Sequence, residues 1–200
     1  MPRERRIQAI RAQLIVRQEG EGHMALGWLR QGIARYFGRD ADAALPLYNA
    51  VVLRARAEHW YLDGAVPDTV DGRFDMIAAV LSVVLIRLEA EPEGVEPAAR
   101  LTERFVTDMD GQLRELGIGD IVVGKHIGKM MAMLGGRLTA YREGLAGDKA
   151  VMDAALVRNL YRGAAPADSG AVAHVREALR ALHEQLAATS LARLTLGDLP

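Results

Sequence analysis

Three observations predict an all-α fold, a single globular bundle of about seven helices around one apolar helix at residues 70–90. Apolar residues recur at three- and four-residue spacings in one segment after another, the period of a helix with one buried face. No segment alternates as a half-buried strand does. The stretch 66–88, VPDTVDGRFDMIAAVLSVVLIRL, passes from a constrained polar turn into the most apolar helix of the chain.

Residues 1–23 place Ile7, Ile10 and Leu14 on one face among arginines, somewhat like a transit peptide, but Gly20, Gly22 and His23 interrupt the pattern before Met24. We read 1–23 as an N-terminal extension, disordered or not native, ahead of a single helical domain at 24–190 and a tail at 191–200. From Ala25 to Gly38, Trp28, Leu29, Ile33, Tyr36 and Phe37 form an apolar stripe with Arg30, Arg35 and Arg39 beside it. A basic helix with an edge Trp suits a membrane interface. It equally suits an ordinary first helix packed on a core, since amphipathicity is the norm for globular helices.

A helix over 43–62 follows, with Pro46 tolerated in its first turn and Leu47, Tyr48, Val51, Val52, Ala55 and His59 facing inward. Gly64 ends it. Pro67 fixes its own φ and biases Val66 away from helical geometry, so the next helix starts afresh. Asp68 fits its N-cap, or Asp71 if the start slips. Phe74, Ile77, Ala78, Leu81, Leu85 and Leu88 then make one stripe, while Met76, Val80, Val83 and Val84 leave the other sides nearly as apolar. Only eleven uncharged residues separate Asp75 from Arg87, against about 20 for a membrane span, so this is a core helix.

The loop EAEPEGVEP leads to a helix over 98–116 with Leu101, Phe105, Met109 and Leu113 inward and Gly117 at its end. Asp120 can cap the next, which carries Val123, Ile127, Met130, Met131, Leu134, Leu138 and Tyr141. Its Gly124, Gly128, Gly135 and Gly136 each cost up to about 1 kcal/mol relative to Ala. They point to close backbone approach or to a kink at Gly135–Gly136. Asp148 caps a shorter helix to Tyr161, stopped by Gly163. After the linker APADSGA, Val172, Val175, Leu179, Leu182 and Leu186 mark a last helix over 171–188.

Composition narrows the chemistry. Two hundred residues fit one domain with a proper core. The absence of cysteine excludes disulfides, thiol catalysis and cysteine-held metals. Net charge is −1, yet residues 1–39 carry +5 and the remainder −6, an asymmetry that suits a basic arm touching anionic lipid or RNA.

Asp68, Asp71 and Asp75 cluster around Arg73, with Asp71 and Asp75 on one helical face. A magnesium or phosphate site, and with it a metal-dependent enzyme, is one reading. A capped, salt-bridged helix start is the simpler one and is preferred, because first-turn Asp already has a structural reason. His59, His126, His174 and His183 are scattered without HxxxH or HExxH spacing. Ser82 lacks a nucleophile elbow. There is neither a P-loop nor a dinucleotide fingerprint, so catalysis is not supported and no cofactor is expected. Met109, Met130, Met131, Met133 and Met152 suit an adaptable groove or, more simply, core gap-filling.

The central block, Val66-Pro67-Asp68-Thr69 and Gly72-Arg73-Phe74 followed by an apolar helix ending in Arg87-Leu88, resembles the ubiquinol–cytochrome c chaperone family, assembly factors of respiratory complex III. RELGIGDIVVGKHIGKMMAMLGGRLTAYR at 114–142 is similar in kind, and the resemblance covers roughly residues 45–145. These are fold-level motifs. The resemblance implies a non-enzymatic, bacterial-type assembly factor that binds newly made cytochrome b. It would work with a small partner protein, not with DNA, in the cytoplasm and peripheral to the inner membrane, or on the matrix side if mitochondrial. On this reading Asp68, Thr69, Asp71, Gly72 and Arg73 shape a partner surface, and Trp28, Arg30 and Arg35 touch membrane or ribosome. Mitochondrial members carry a histidine midway along the central helix where this chain has Val80. A helical regulatory or adaptor module with a soluble partner is the remaining alternative.

Overall fold

The computed structural model describes residues 41–115 and 120–200, with side chains for 43–109, 131–168 and 170–200. The extension 1–23, the segment 25–38 with Trp28, Arg30 and Arg35, Gly117, and the side chains of Val123, Ile127 and Met130 lie outside them. Eight α-helices are described: α1 Leu45–Ala55, α2 His59–Leu62, α3 Val70–Glu89, α4 Val95–Glu115, α5 Asp120–Ala146, α6 Lys149–Asn159, α7 Ser169–Ala187 and α8 Leu191–Thr195. Single 3₁₀ turns at Ala41–Ala44 and Pro92–Gly94 precede α1 and α4. No strand occurs among the described residues.

The α3 helix is the hub, packed against α1, α4, α5 and α7. Residues Met76 to Leu85 are all buried, as are Arg87 and Leu88. Val80 is wholly enclosed, so this position is core. Ser82 satisfies its hydroxyl inside the helix by donating to the Ala78 carbonyl at 2.6 Å. No helix among the described residues is long and apolar enough to cross a membrane.

The expected cap of α3 shifts by one residue. Thr69, not Asp68 or Asp71, is the N-cap, in extended geometry, and its Oγ1 accepts from the Gly72 amide at 3.1 Å. Asp68 is free of this task because Pro67 already sets the turn.

The helix expected over 43–62 is broken. It opens as a 3₁₀ turn, becomes α1, halts at residues 56–58 and resumes as α2. A break frees carbonyls at the end of α1, and two aromatic side chains take them. Trp60 Nε1 donates to the Arg54 carbonyl at 2.8 Å, and the Tyr61 hydroxyl to that of Ala55 at 2.9 Å. Neither Gly nor Pro marks the break, so nothing local announces it.

The α5 helix runs on through Gly135–Gly136 without ending. Open space surrounds the position of a Cβ on Gly136, so close approach does not explain that glycine. The tight contact sits one turn beyond Tyr141. A Cβ on Gly144 would meet Met152 Sδ at 2.7 Å and Met152 Cα at 2.9 Å, which brings α6 directly onto α5. Met109 and Met152 are buried and Met131 is partly buried against the core, while Met133 is exposed. Met109, Met131 and Met152 therefore fill core gaps, and Met133 does not. Asp148 caps α6 by accepting from the Val151 amide, and Gly163 at φ +87° follows it, as expected. The stretch 191–200 contributes α8, with Leu194 buried.

Two charged groups near the end of α3 serve the fold. Arg87, 7% exposed, donates from Nε to the Leu186 carbonyl at 2.8 Å and from Nη2 to that of Thr189 at 3.0 Å, closing the end of α7. Glu89 pairs with Arg142, but burial outweighs that attraction and pushes its carboxyl up to about 7. The folded protein thus holds this proton through a range where the unfolded chain, at 4.5, has released it. The contribution is present below the unfolded value and declines as pH rises to the folded one. His59 and His183 are lowered by burial and act oppositely, losing stability as pH falls below 6.5. Comparing Glu89→Gln with the wild type separates the two. The variant should lose the decline toward alkaline pH in urea-unfolding midpoints between about pH 5 and 8; parallel profiles would assign the decline to another group.

Candidate partner-docking turn

The turn between α2 and α3 is built as a rigid object. Ala65 takes a left-handed conformation at φ 47°, which reverses the chain after α2, and Val66 is buried. The Val66 amide bonds back to the Trp60 carbonyl at 3.1 Å. From the far side, the Tyr161 hydroxyl donates to the Gly64 carbonyl at 2.6 Å. Gly72 is buried because the Pro67 backbone folds over it: a Cβ there would stand 1.9 Å from the Pro67 oxygen. The Pro67 and Gly72 of the sequence motif are thus two halves of one contact.

The three aspartates do not converge on a common point. Each meets a guanidinium. Asp68 Oδ1 accepts from Arg73 Nε at 2.5 Å on the surface, and Arg73 holds the Asp68 carboxyl below its ordinary range. Asp71 accepts from Arg162 Nη1 at 2.7 Å, and Asp75 from Arg162 Nε at 2.8 Å. The four-residue spacing of Asp71 and Asp75 therefore matters, but for one arginine bridging both. Asp75 also bonds Arg137 Nη2, and Arg137 lies 5.7 Å over the Phe74 ring. Asp75 is fully buried and Arg137 is 8% exposed. Burial pushes the Asp75 carboxyl upward, with the two guanidiniums pulling the other way.

Arg162 holds the left-handed region at φ 54°, costly for a residue with a Cβ. Its two ion pairs offset that cost. The capped, salt-bridged reading of the aspartates is the one the geometry supports. Among the described residues no group of three or more His, Asp or Glu is placed to hold a metal.

Of the five residues expected at a partner surface, Asp68, Asp71 and Arg73 face solvent, Thr69 is exposed with its hydroxyl spent on the cap, and Gly72 is buried. Two apolar neighbours went unnoticed in the sequence. Leu62 is 76% and Val70 78% exposed. Val70 is the first residue of α3, ahead of its apolar stripe, and Leu62 closes α2. Their apolar character in a polar turn was the only sequence signal. The turn and the helix ends beside it thus carry two exposed aliphatic side chains and two exposed ion pairs, Asp68–Arg73 and Asp71–Arg162, on a backbone locked by Pro67, Gly72 and Arg162.

The model of the family described as ubiquinol-cytochrome C chaperone matches residues 62–199, a span that includes the whole turn. Among solved structures, the Cbp3 homolog from Brucella abortus superimposes with a TM-score of 0.70 at 30% identity, covering 88% of this chain and 95% of that chain. No curated protein sequence matches. With more than two thirds of its length inside the family model and a related crystal structure spanning nearly the whole of both chains, the protein belongs to the ubiquinol-cytochrome C chaperone family.

Proposed function

We propose that this protein is a non-enzymatic assembly factor for the ubiquinol–cytochrome c reductase complex, and that it binds newly made cytochrome b. The observation that carries the docking site is the outward display of Leu62 and Val70 on a turn too constrained to fold them away. Rigid presentation lowers the ordering cost of binding. Exposed aliphatic residues beside a neutral ion pair suit an apolar segment with polar flanks, which is what a membrane protein offers before insertion. Asp68 and Arg73 would set orientation, and a small partner protein would share the face.

The working unit is the helical domain at 24–190, held peripherally at the cytoplasmic face of the inner membrane. Support for that placement is the basic, amphipathic pattern of Trp28, Arg30 and Arg35, which suits an anionic membrane surface or the ribosome. No cofactor is called for.

The test uses a strain lacking the gene, scored for haem-bearing cytochrome b. Wild type and the Met24–Pro200 form should both restore it. Leu62→Glu combined with Val70→Glu should reduce recovery at least fivefold while leaving the unfolding free energy from urea titration within about 0.5 kcal/mol, as exposed sites allow. Arg30→Glu with Arg35→Glu should weaken liposome or ribosome binding. Normal cytochrome b in the deletion strain would discard the client, and full rescue by the Leu62/Val70 variant would discard the surface.

A further inference from the structure

The fold joins two histidines that the sequence keeps 115 residues apart. His59 Nδ1 and His174 Nε2 stand 3.0 Å from each other, the first opening α2 and the second on α7. Their rings meet edge to face at a centroid distance of 5.3 Å, and Trp60 packs on His59 at 4.1 Å. Both rings are half-buried, so each is held in place yet reachable from solvent. One nitrogen carries the proton that the other accepts, so the two ring nitrogens point toward each other.

We propose that His59 and His174 form a two-imidazole site for a divalent ion of the zinc, nickel or copper class. Imidazole nitrogen suits these metals and not the hard cations. Two nitrogens at about 2.05 Å on a tetrahedral ion lie about 3.3 Å apart. The pair needs to open by only a few tenths of an ångström. The shared proton moves to the far nitrogen of its own ring, so one tautomer changes and both facing nitrogens are left free to bind the ion.

The surroundings decide how tight such a site is. Burial and the Arg54 guanidinium oppose positive charge at His59, while Asp63, one turn on, favours it. No third His, Asp or Glu among the described residues completes the set, so water fills the remaining positions. The site is therefore open and exchangeable. Because the two histidines meet only in the folded chain, the ion fastens α2 to α7 directly behind the docking turn. This inference is independent of the client proposed above.

Chelator-treated full-length protein titrated with zinc by calorimetry should bind one ion at this pair. At a zinc concentration a hundredfold above its Kd, the unfolding constant should fall about a hundredfold. His59→Gln and His174→Gln should each weaken this site at least tenfold, whereas His183→Gln should not, and magnesium should leave unfolding unchanged. Copper(II) on the wild-type chain should give an electron paramagnetic resonance spectrum with two coupled imidazole nitrogens, a readout that does not depend on the variants folding. Undiminished zinc affinity in both glutamine variants, or a copper spectrum without nitrogen pairs, would overturn the site.

Discussion

Asp75→Ala should destabilise the protein by about 3–5 kcal/mol, the usual cost of removing one partner from a buried ion pair. The side chain is fully enclosed and meets Arg137 and Arg162 together. Without it Arg137 remains a buried guanidinium with the Asn159 carbonyl as its acceptor, and Arg162 keeps a strained backbone with only Asp71 to hold. Asp75→Asn, which preserves shape and one acceptor, should fall between wild type and alanine. Urea unfolding followed by circular dichroism measures all three. Combining Asp75→Leu with Arg137→Met should recover much of the loss, since the uncompensated charge is then gone. A cost below about 1 kcal/mol for the alanine variant would mean that the network is not held charged.

Gly72→Ala should be the most damaging single methyl in the docking turn, at about 3 kcal/mol, the upper end of what overpacking costs. The added carbon would sit 1.9 Å from the Pro67 oxygen and 2.9 Å from its carbonyl carbon. Both are backbone atoms that cannot rotate aside. Relief requires Pro67 to lift, which breaks the Thr69 cap on the Gly72 amide and carries Asp68 away from Arg73. The variant should therefore lose stability and client binding together, while Gly136→Ala, in open space on α5, serves as a neutral or stabilising control. Unchanged unfolding in Gly72→Ala would show that the turn yields more easily than its geometry implies.

The sequence is most informative where structure is local. The Asp148 cap, the left-handed Gly163, the stripe of α7 and the enclosure of α3 all follow from period and capping chemistry within a few residues. Thr69 in place of Asp68 is a slip of one position between two good caps, decided by where Pro67 places the chain. The break at 56–58 was hidden because its causes, the Trp60 and Tyr61 hydrogen bonds, resemble a continuing amphipathic pattern. In the docking turn, the Asp71–Asp75 register was readable from spacing. Its partners Arg137 and Arg162 lie 62 and 87 residues beyond Asp75 and leave no local mark. The same distance hid the encounter of His59 with His174.

The small α8 helix bears on the order in which the molecule can be completed. Its Leu194 is fully buried, it packs on α1, and a Cβ on Gly197 would touch the Pro46 oxygen at 2.7 Å. The first described helix is thus sealed by residues about 150 positions further along the chain. During synthesis, which runs from the N-terminus, the Leu47 side of the bundle stays uncovered until position 197 has left the ribosome. A factor whose proposed work is to shelter an unfinished client passes through the same exposure itself until α8 emerges to cover α1.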